Sequence, residues 1–271
     1  MAPGLTHALG RPVQIELMPG EAGAKAARVT AASPPDGTTL MLATFGTHAI
    51  NPNIRPDLGY DPLADFTPVS LATRSPLILG VHPALPAHSV AELIALANRT
   101  RLTYGSSSTA SAPYLAAAML QKHSGVTMDH VPYADTRVLY EDLIAGRLDL
   151  SINNVMTMLP LVRHGQVRAL AVTTATRLAA LPAVPTIAES GLDGYAVSNW
   201  LGFVAPPRTP ISLVAAQNDA IRQALHVLAV HEILAASGVE IVASSPAAFA
   251  HHIASERDLW SWIGRHVADL S

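Results

Sequence analysis

Short apolar runs alternate with helix-patterned segments along most of this chain. That alternation restricts the fold more than any other feature, because strands separated by helices assemble into α/β layers. Val13 to Leu17 places Val13, Ile15 and Leu17 on one face, the pattern of a strand, and the Pro19-Gly20 turn then leads into an Ala-rich helical stretch. Pro35-Asp36-Gly37 is a turn, and Thr39 to Ala43 is an apolar run of the kind that a buried parallel sheet covers on both faces. Pro76 to Val81 reads as a further strand, and Ser89 with Glu92 three residues later forms a capping box opening a helix over Val90 to Asn98. Strand Leu102 to Gly105, helix Ala112 to His123, strand Asp129 to Val131 and helix Arg137 to Ala145, stopped by Gly146, come next. Strand Leu148 to Ile152, a helix stopped by Gly165, strand Arg168 to Thr173 and extended Tyr195 to Val204 follow. Beyond Ile211 the pattern is mostly helical, with a short strand over Glu240 to Val242 and Ser245-Pro246 opening the last helix.

Of the 271 residues, 49% are hydrophobic and 14% charged, enough apolar material for a buried core in one large or two modest domains. A formal net charge of −3 and the absence of any run of like charges remove the basic footprint of a nucleic-acid binder. Pro, Gly, Ser or a charge interrupts every apolar stretch before it reaches the about 20 residues of a membrane-spanning helix, the region around Ser75 to Pro86 included. Zero cysteines exclude disulfides, thiol catalysis and sulfur-ligated metals. Met1 to Gly10 has no basic segment followed by an apolar core, so no secretory signal is expected in the chain as it stands.

Twelve histidines raise a metal or hydrolase reading. His251 and His252 are neighbours on the expected last helix and point in different directions, which argues for surface positions over a shared metal. Neither His-Glu-x-x-His nor Gly-x-Ser-x-Gly occurs. Glu141 and Asp142, side by side on a helix, read as a solvated face, since a catalytic pair needs one carboxyl buried to separate the two pKa values. Trp200, Trp260 and Trp262 read as packing residues. No catalytic residue, metal or cofactor is expected. The rival class is an α/β small-molecule enzyme, a hydrolase or transferase, which turnover would reveal.

Several phrases resemble, in order and spacing, the Bug or TctC family of receptors for tripartite tricarboxylate transporters. They are Pro35-Asp36-Gly37-Thr38-Thr39-Leu40, Gly46-Thr47-His48-Ala49-Ile50-Asn51-Pro52, Tyr60-Asp61-Pro62, Asp65-Phe66-Thr67-Pro68-Val69-Ser70-Leu71 and His130-Val131-Pro132-Tyr133. Leu181-Pro182-Ala183-Val184-Pro185-Thr186, Glu189-Ser190-Gly191-Leu192 and Trp200-Leu201-Gly202-Phe203-Val204-Ala205-Pro206 extend the likeness over nearly the whole chain. The resemblance implies a type II periplasmic-binding-protein fold. Residues 1–74 plus 200–271 would form lobe one and 75–199 lobe two, with a ligand cleft between them and closure about a hinge. It also implies a monomeric periplasmic receptor that hands a small organic carboxylate to membrane transporter subunits. A sensory or vestigial relative that does not transport is a further alternative.

In such a receptor the loops between a strand and the following helix would hold the anion, through free backbone amides at the helix N-terminus. In lobe two that loop is Gly105-Ser106-Ser107-Ser108-Thr109-Ala110-Ser111, and in lobe one Thr44-Phe45-Gly46-Thr47-His48. Tyr133, Asn153 and Asn154 complete the expected ligand set: Thr44, Gly46, Thr47, His48, Gly105, Ser106, Ser107, Ser108, Thr109, Ser111, Tyr133, Asn153 and Asn154. The chain departs from the family pattern where Ser108, Ala110 and Tyr114 replace glycines and a histidine, where Ala134-Asp135 replaces Lys-Gly, and where Asn153-Asn154 replaces Asp-Asn. It also begins inside the family's first helix, so the first strand of lobe one and its glycine-rich loop are expected to be missing.

Overall fold

The computed structural model describes residues 1–109 and 111–264 and divides the chain into two compact units. The first comprises Met1–Arg74, Trp200–Ala236 and the chain from Glu240; the second comprises Ser75–Asn199 and Ser237–Val239. The fold is mixed α/β.

In the second unit the sheet order is β6-β2-β5-β3-β4. The strands are β2 (Thr67–Val81), β3 (Thr103–Ser106), β4 (Asp129–Pro132), β5 (Leu150–Asn154) and β6 (Arg168–Val172). The end of β2 runs antiparallel to β5 and to β6, whereas β3 runs parallel to both β4 and β5. Four helices connect the strands. They are α4 (Val90–Ala97), α5 (Ala112–Ser124), α6 (Thr136–Ile144) and α7 (Val155–Arg163). The Ser89 hydroxyl accepts from the Glu92 amide at the start of α4, while the Glu92 carboxylate reaches past it to the amide of His88. Gly125 ends α5 in the left-handed conformation at φ 74°, which glycine adopts without a Cβ clash. A core of Ile78, Leu139, Leu143, Leu148, Val155, Met158 and Val172 lies beneath α6 and α7.

The first unit contains β1 (Met41–Thr44), β8 (Glu240–Ile241) and β7 (Ser198–Ala205) from Trp200 onward, together with the first half of β2. Here β1 pairs antiparallel with β7, and β8 antiparallel with Thr73 and Arg74 of β2. The expected buried parallel strand at Thr39 to Ala43 is therefore an antiparallel one, and its Leu42 is exposed. The helices are α1 (Ala2–Leu9), α2 (Ala24–Ala31), α3 (Asn51–Ile54), α8 (Ile211–Leu225), α9 (Leu228–Ala236) and α10 (Pro246–Leu259). Gly4 lets α1 lie close on α8, since a Cβ there would stand 3.1 Å from that of Ala224. Leu5, Val69, Ala205, Val214, Ile221 and Leu225 build the core of this face.

Val13 to Leu17 forms no strand. Ile15 is 73% and Leu17 85% exposed, and the Val13 amide donates to the Thr6 hydroxyl at 3.1 Å rather than to a neighbouring backbone. Alternation supplies a strand's side-chain pattern, but a strand persists only when another backbone satisfies its ladder, and among the described residues none does so here.

Candidate functional site

In the second unit the connection from β3 through α5 places β4 on one side of β3, and the connection through α6 brings β5 to its other side. The two helices cover opposite faces. Tyr104 of β3 meets Tyr114 of α5, with ring centroids 6.2 Å apart, while a Cβ on the next residue, Gly105, would stand 3.1 Å from Leu139 of α6. The chain thus changes direction between β3 and β5. In open α/β sheets the crevice outside the carboxyl ends of two such strands is where ligands sit.

Parallel pairing brings the ends of β3, β4 and β5 to one edge, and there α5, α6 and α7 present their N-termini. Each such end carries free amides and the positive pole of the helix dipole. The three are not equivalent. At α6 the Asp135 carboxylate already caps the Arg137 amide at 2.9 Å and pairs with the Arg137 guanidinium at 2.7 Å. That guanidinium holds the Asp135 carboxyl below its ordinary range, so the anion at this helix end belongs to the protein. Neither α5 nor α7 has an acid in its first turn, and these two flank the β3/β5 crevice.

At α5 the cap is Ser111, whose hydroxyl accepts from the Tyr114 amide and donates to the Ser108 carbonyl at 2.7 Å. The same carbonyl accepts from the Ser111 amide. That double tie bends the loop while Ser107, Ser108 and Thr109 stay exposed, and their amides make no hydrogen bond within the described residues. Ala110 lies outside the described residues. Gly105 and Ser106 are buried at the end of β3, and the Gly105 carbonyl accepts from the Ser151 hydroxyl. At α7, Asn153 is buried with its side-chain oxygen on the Asn154 amide, and Asn154 accepts from Asn199 at 3.4 Å. Asn199 carries no motif in the sequence, and only the folded chain brings it here.

Ser106 and His130 form a pair that the sequence does not announce: the hydroxyl lies 2.8 Å from Nε2. A nucleophile needs access to its substrate, and Ser106 is 0% exposed with its hydroxyl also directed at the Ser108 carbonyl. Tyr133 is likewise committed, because its hydroxyl donates to Asp142 at 2.8 Å and Asp142 pairs with Arg147 at 2.6 Å. Asp142 thus anchors a side-chain network and is not simply a solvated helix face. Burial first, and then the Asp142 carboxylate, push the Tyr133 phenol up to about 12.

In the first unit, Thr44 and Thr47 satisfy one another. Each backbone amide donates to the other's hydroxyl, at 3.0 and 3.1 Å. Gly46 and Thr44 remain partly accessible, but Thr47 and His48 are turned inward by a wide helical turn over Gly46–Ile50. His48 is 0% exposed, stacks near Tyr60 and Phe66, and contacts the Thr47 hydroxyl through Nδ1, while its Nε2 has no partner. Both were expected to face a ligand. They are core residues because the polar segment after β1 continues as helix, and a helix this close to the sheet buries one face.

Burial pushes the His48 imidazole down to about 3. His252, expected on the surface, sits with its ring 5.2 Å from that of Trp200 and is lowered to about 4, by burial first and then by the charge of Arg74. Unfolded histidine titrates near about 6.5, so the folded state keeps these rings neutral where the unfolded chain takes up protons. The stabilisation is whole above about pH 6.5 and is lost as pH falls towards the folded values. The melting temperature should therefore fall steadily from pH 7 to 4, and less steeply in a His48→Leu variant. An equal slope in that variant would show that the ring titrates normally.

Among the described residues no group of histidines, acids or cysteines could hold a metal ion, and no helix is long and apolar enough to cross a membrane. The family model described as tripartite tricarboxylate transporter family receptor, TctC, matches residues 1–267. Protein BugT of Bordetella pertussis is 31% identical over 98% of this chain and 83% of its own length. A protein of Pseudomonas sp. (strain P51), from the tcbD-tcbE intergenic region, is 32% identical over 94% of this chain and 77% of its own length. An R. palustris structure with adipate superposes with a TM-score of 0.84 at 35% identity, over 97% of this chain and 89% of that one. MatC from Rhodopseudomonas palustris, with bound malate, gives 0.83 at 30% identity over 97% and 91%. The chain belongs to the TctC family, the receptors of tripartite tricarboxylate transporters.

Proposed function

We propose that this chain is a periplasmic receptor that captures a small organic carboxylate for a tripartite tricarboxylate-type transporter and releases it unchanged. The observation that carries the reading is the edge of the second unit's sheet. Two helix N-termini without acids, those of α5 and α7, flank the switch point between β3 and β5, and the Ser107 to Thr109 amides there have no partner among the described residues. One carboxylate of the ligand would take those amides, with exposed serine and threonine hydroxyls adding donors. Asn153 and Asn154 bring neutral polarity to the same edge, where an acid would repel the ligand. Two relatives of known structure hold adipate and malate, both dicarboxylates.

A thermal melt in the presence of mono-, di- and tricarboxylates tests this. A ligand at 100 times its dissociation constant adds about 2.7 kcal/mol to the native state. In a chain of this size that raises the melting temperature by roughly 5–10 °C. At least one acid should produce such a shift, and the corresponding neutral amide none. A melt that no carboxylate moves would count against the reading.

A further inference from the structure

We infer that His130 is the positioning residue of the Ser106–Ser111 loop: its Nε2 pins the Ser106 hydroxyl, and its ring braces the first turn of α5. The inference deepens the anion-site reading and rests on it for its functional meaning. The geometry joins three elements. On β4, His130 lies opposite Tyr104 of β3 in the parallel register, which brings its ring to 5.1 Å from that of Tyr104. Across the face it meets Tyr114 of α5 edge-on at 4.9 Å. Its Nε2 stands 2.8 Å from the Ser106 hydroxyl at the point where β3 becomes the loop.

The Ser106 hydroxyl also reaches the Ser108 carbonyl at 3.4 Å, so one oxygen joins the His130 ring to the loop. Burial lowers the imidazole's pKa. The groups facing it are the Tyr104 and Tyr114 rings and the Ser106 hydroxyl; the neighbouring Asp129 carboxylate is paired with Arg101 at 2.8 Å. One side chain therefore ties the last residue of β3 to the first turn of α5, and the exposed amides between them inherit that spacing.

Glutamine can place an N–H where His130 has Nε2, and leucine cannot. Residue-resolved amide exchange without ligand is the test, read at Ser111 and Tyr133, whose amides bond the Ser108 and Ser106 carbonyls. The His130→Leu variant should speed exchange at both at least about tenfold, and His130→Gln should stay within about threefold of the parent. Ser106→Ala removes the same hydrogen bond from the other end. It should reproduce the leucine result even if that variant loosens the whole unit, and adding His130→Gln to it should change nothing more. Exchange at Ser111 unchanged in Ser106→Ala, or as fast in His130→Gln as in His130→Leu, would overturn the inference. Repeating the measurement with adipate and malate separates the two levels. If neither acid protects the loop of the parent protein, the choice of ligand class fails while the positioning result stands on the ligand-free data.

Discussion

Replacing Ser108 with Asp should weaken dicarboxylate binding about 100-fold while leaving the melting temperature within about 2 °C of the parent. Ser108 is exposed and its hydroxyl makes no hydrogen bond among the described residues; only its carbonyl is engaged, by Ser106 and Ser111. A new carboxylate about 5–6 Å from a bound one costs about 3 kcal/mol at an effective dielectric constant of 20, and about 1.4 kcal/mol is one decade in affinity. Folding should not suffer, because an acid near the N-terminus of α5 complements that helix's dipole. Calorimetric titration of both proteins with the same acid measures the ratio. Equal affinities would place the anion elsewhere, whereas a collapsed melting temperature would mean that the loop holds the fold together.

The largest stability effect is expected at Phe249. The ring is fully buried in the first unit, meets Trp200 edge-on at 5.6 Å, and covers the backbone of β7 where Gly202 has no side chain. A Cβ on Gly202 would collide with the ring, so glycine there is the complement of the phenylalanine. Truncating Phe249 to alanine removes the ring and leaves a cavity between α10 and β7, at a cost of about 3–5 kcal/mol. The urea midpoint should fall accordingly with the slope unchanged. A loss below about 1 kcal/mol would mean that neighbouring side chains collapse into the space.

Most helices were legible because their ends are chemical. Ser89, Ser111 and Ser245 cap α4, α5 and α10 with their hydroxyls, and Gly125 and Gly146 take the left-handed conformation that stops a helix. Strands were less legible, because their existence depends on a partner. Val13 to Leu17 has the alternation and lacks the partner. By contrast β2 runs from Thr67, well before Pro76, since β7 and β8 pair with its first half. The serine loop was visible as small polar residues between a strand and a helix. Where the other expected residues turn was not: Tyr133 turns to Asp142, and His48, in the first unit, is drawn into the core. His130 reaches Ser106 because two parallel strands share a register, 24 residues apart in sequence.

The protein should bind a carboxylate and leave it chemically unchanged. Isothermal titration with adipate and malate, followed by NMR of the recovered ligand, measures both halves at once. The expected result is saturable heat for at least one acid at one site per chain, no heat for its dimethyl ester, and ligand recovered unchanged. Heat from the ester as large as from the acid, or any conversion of the ligand, would contradict it.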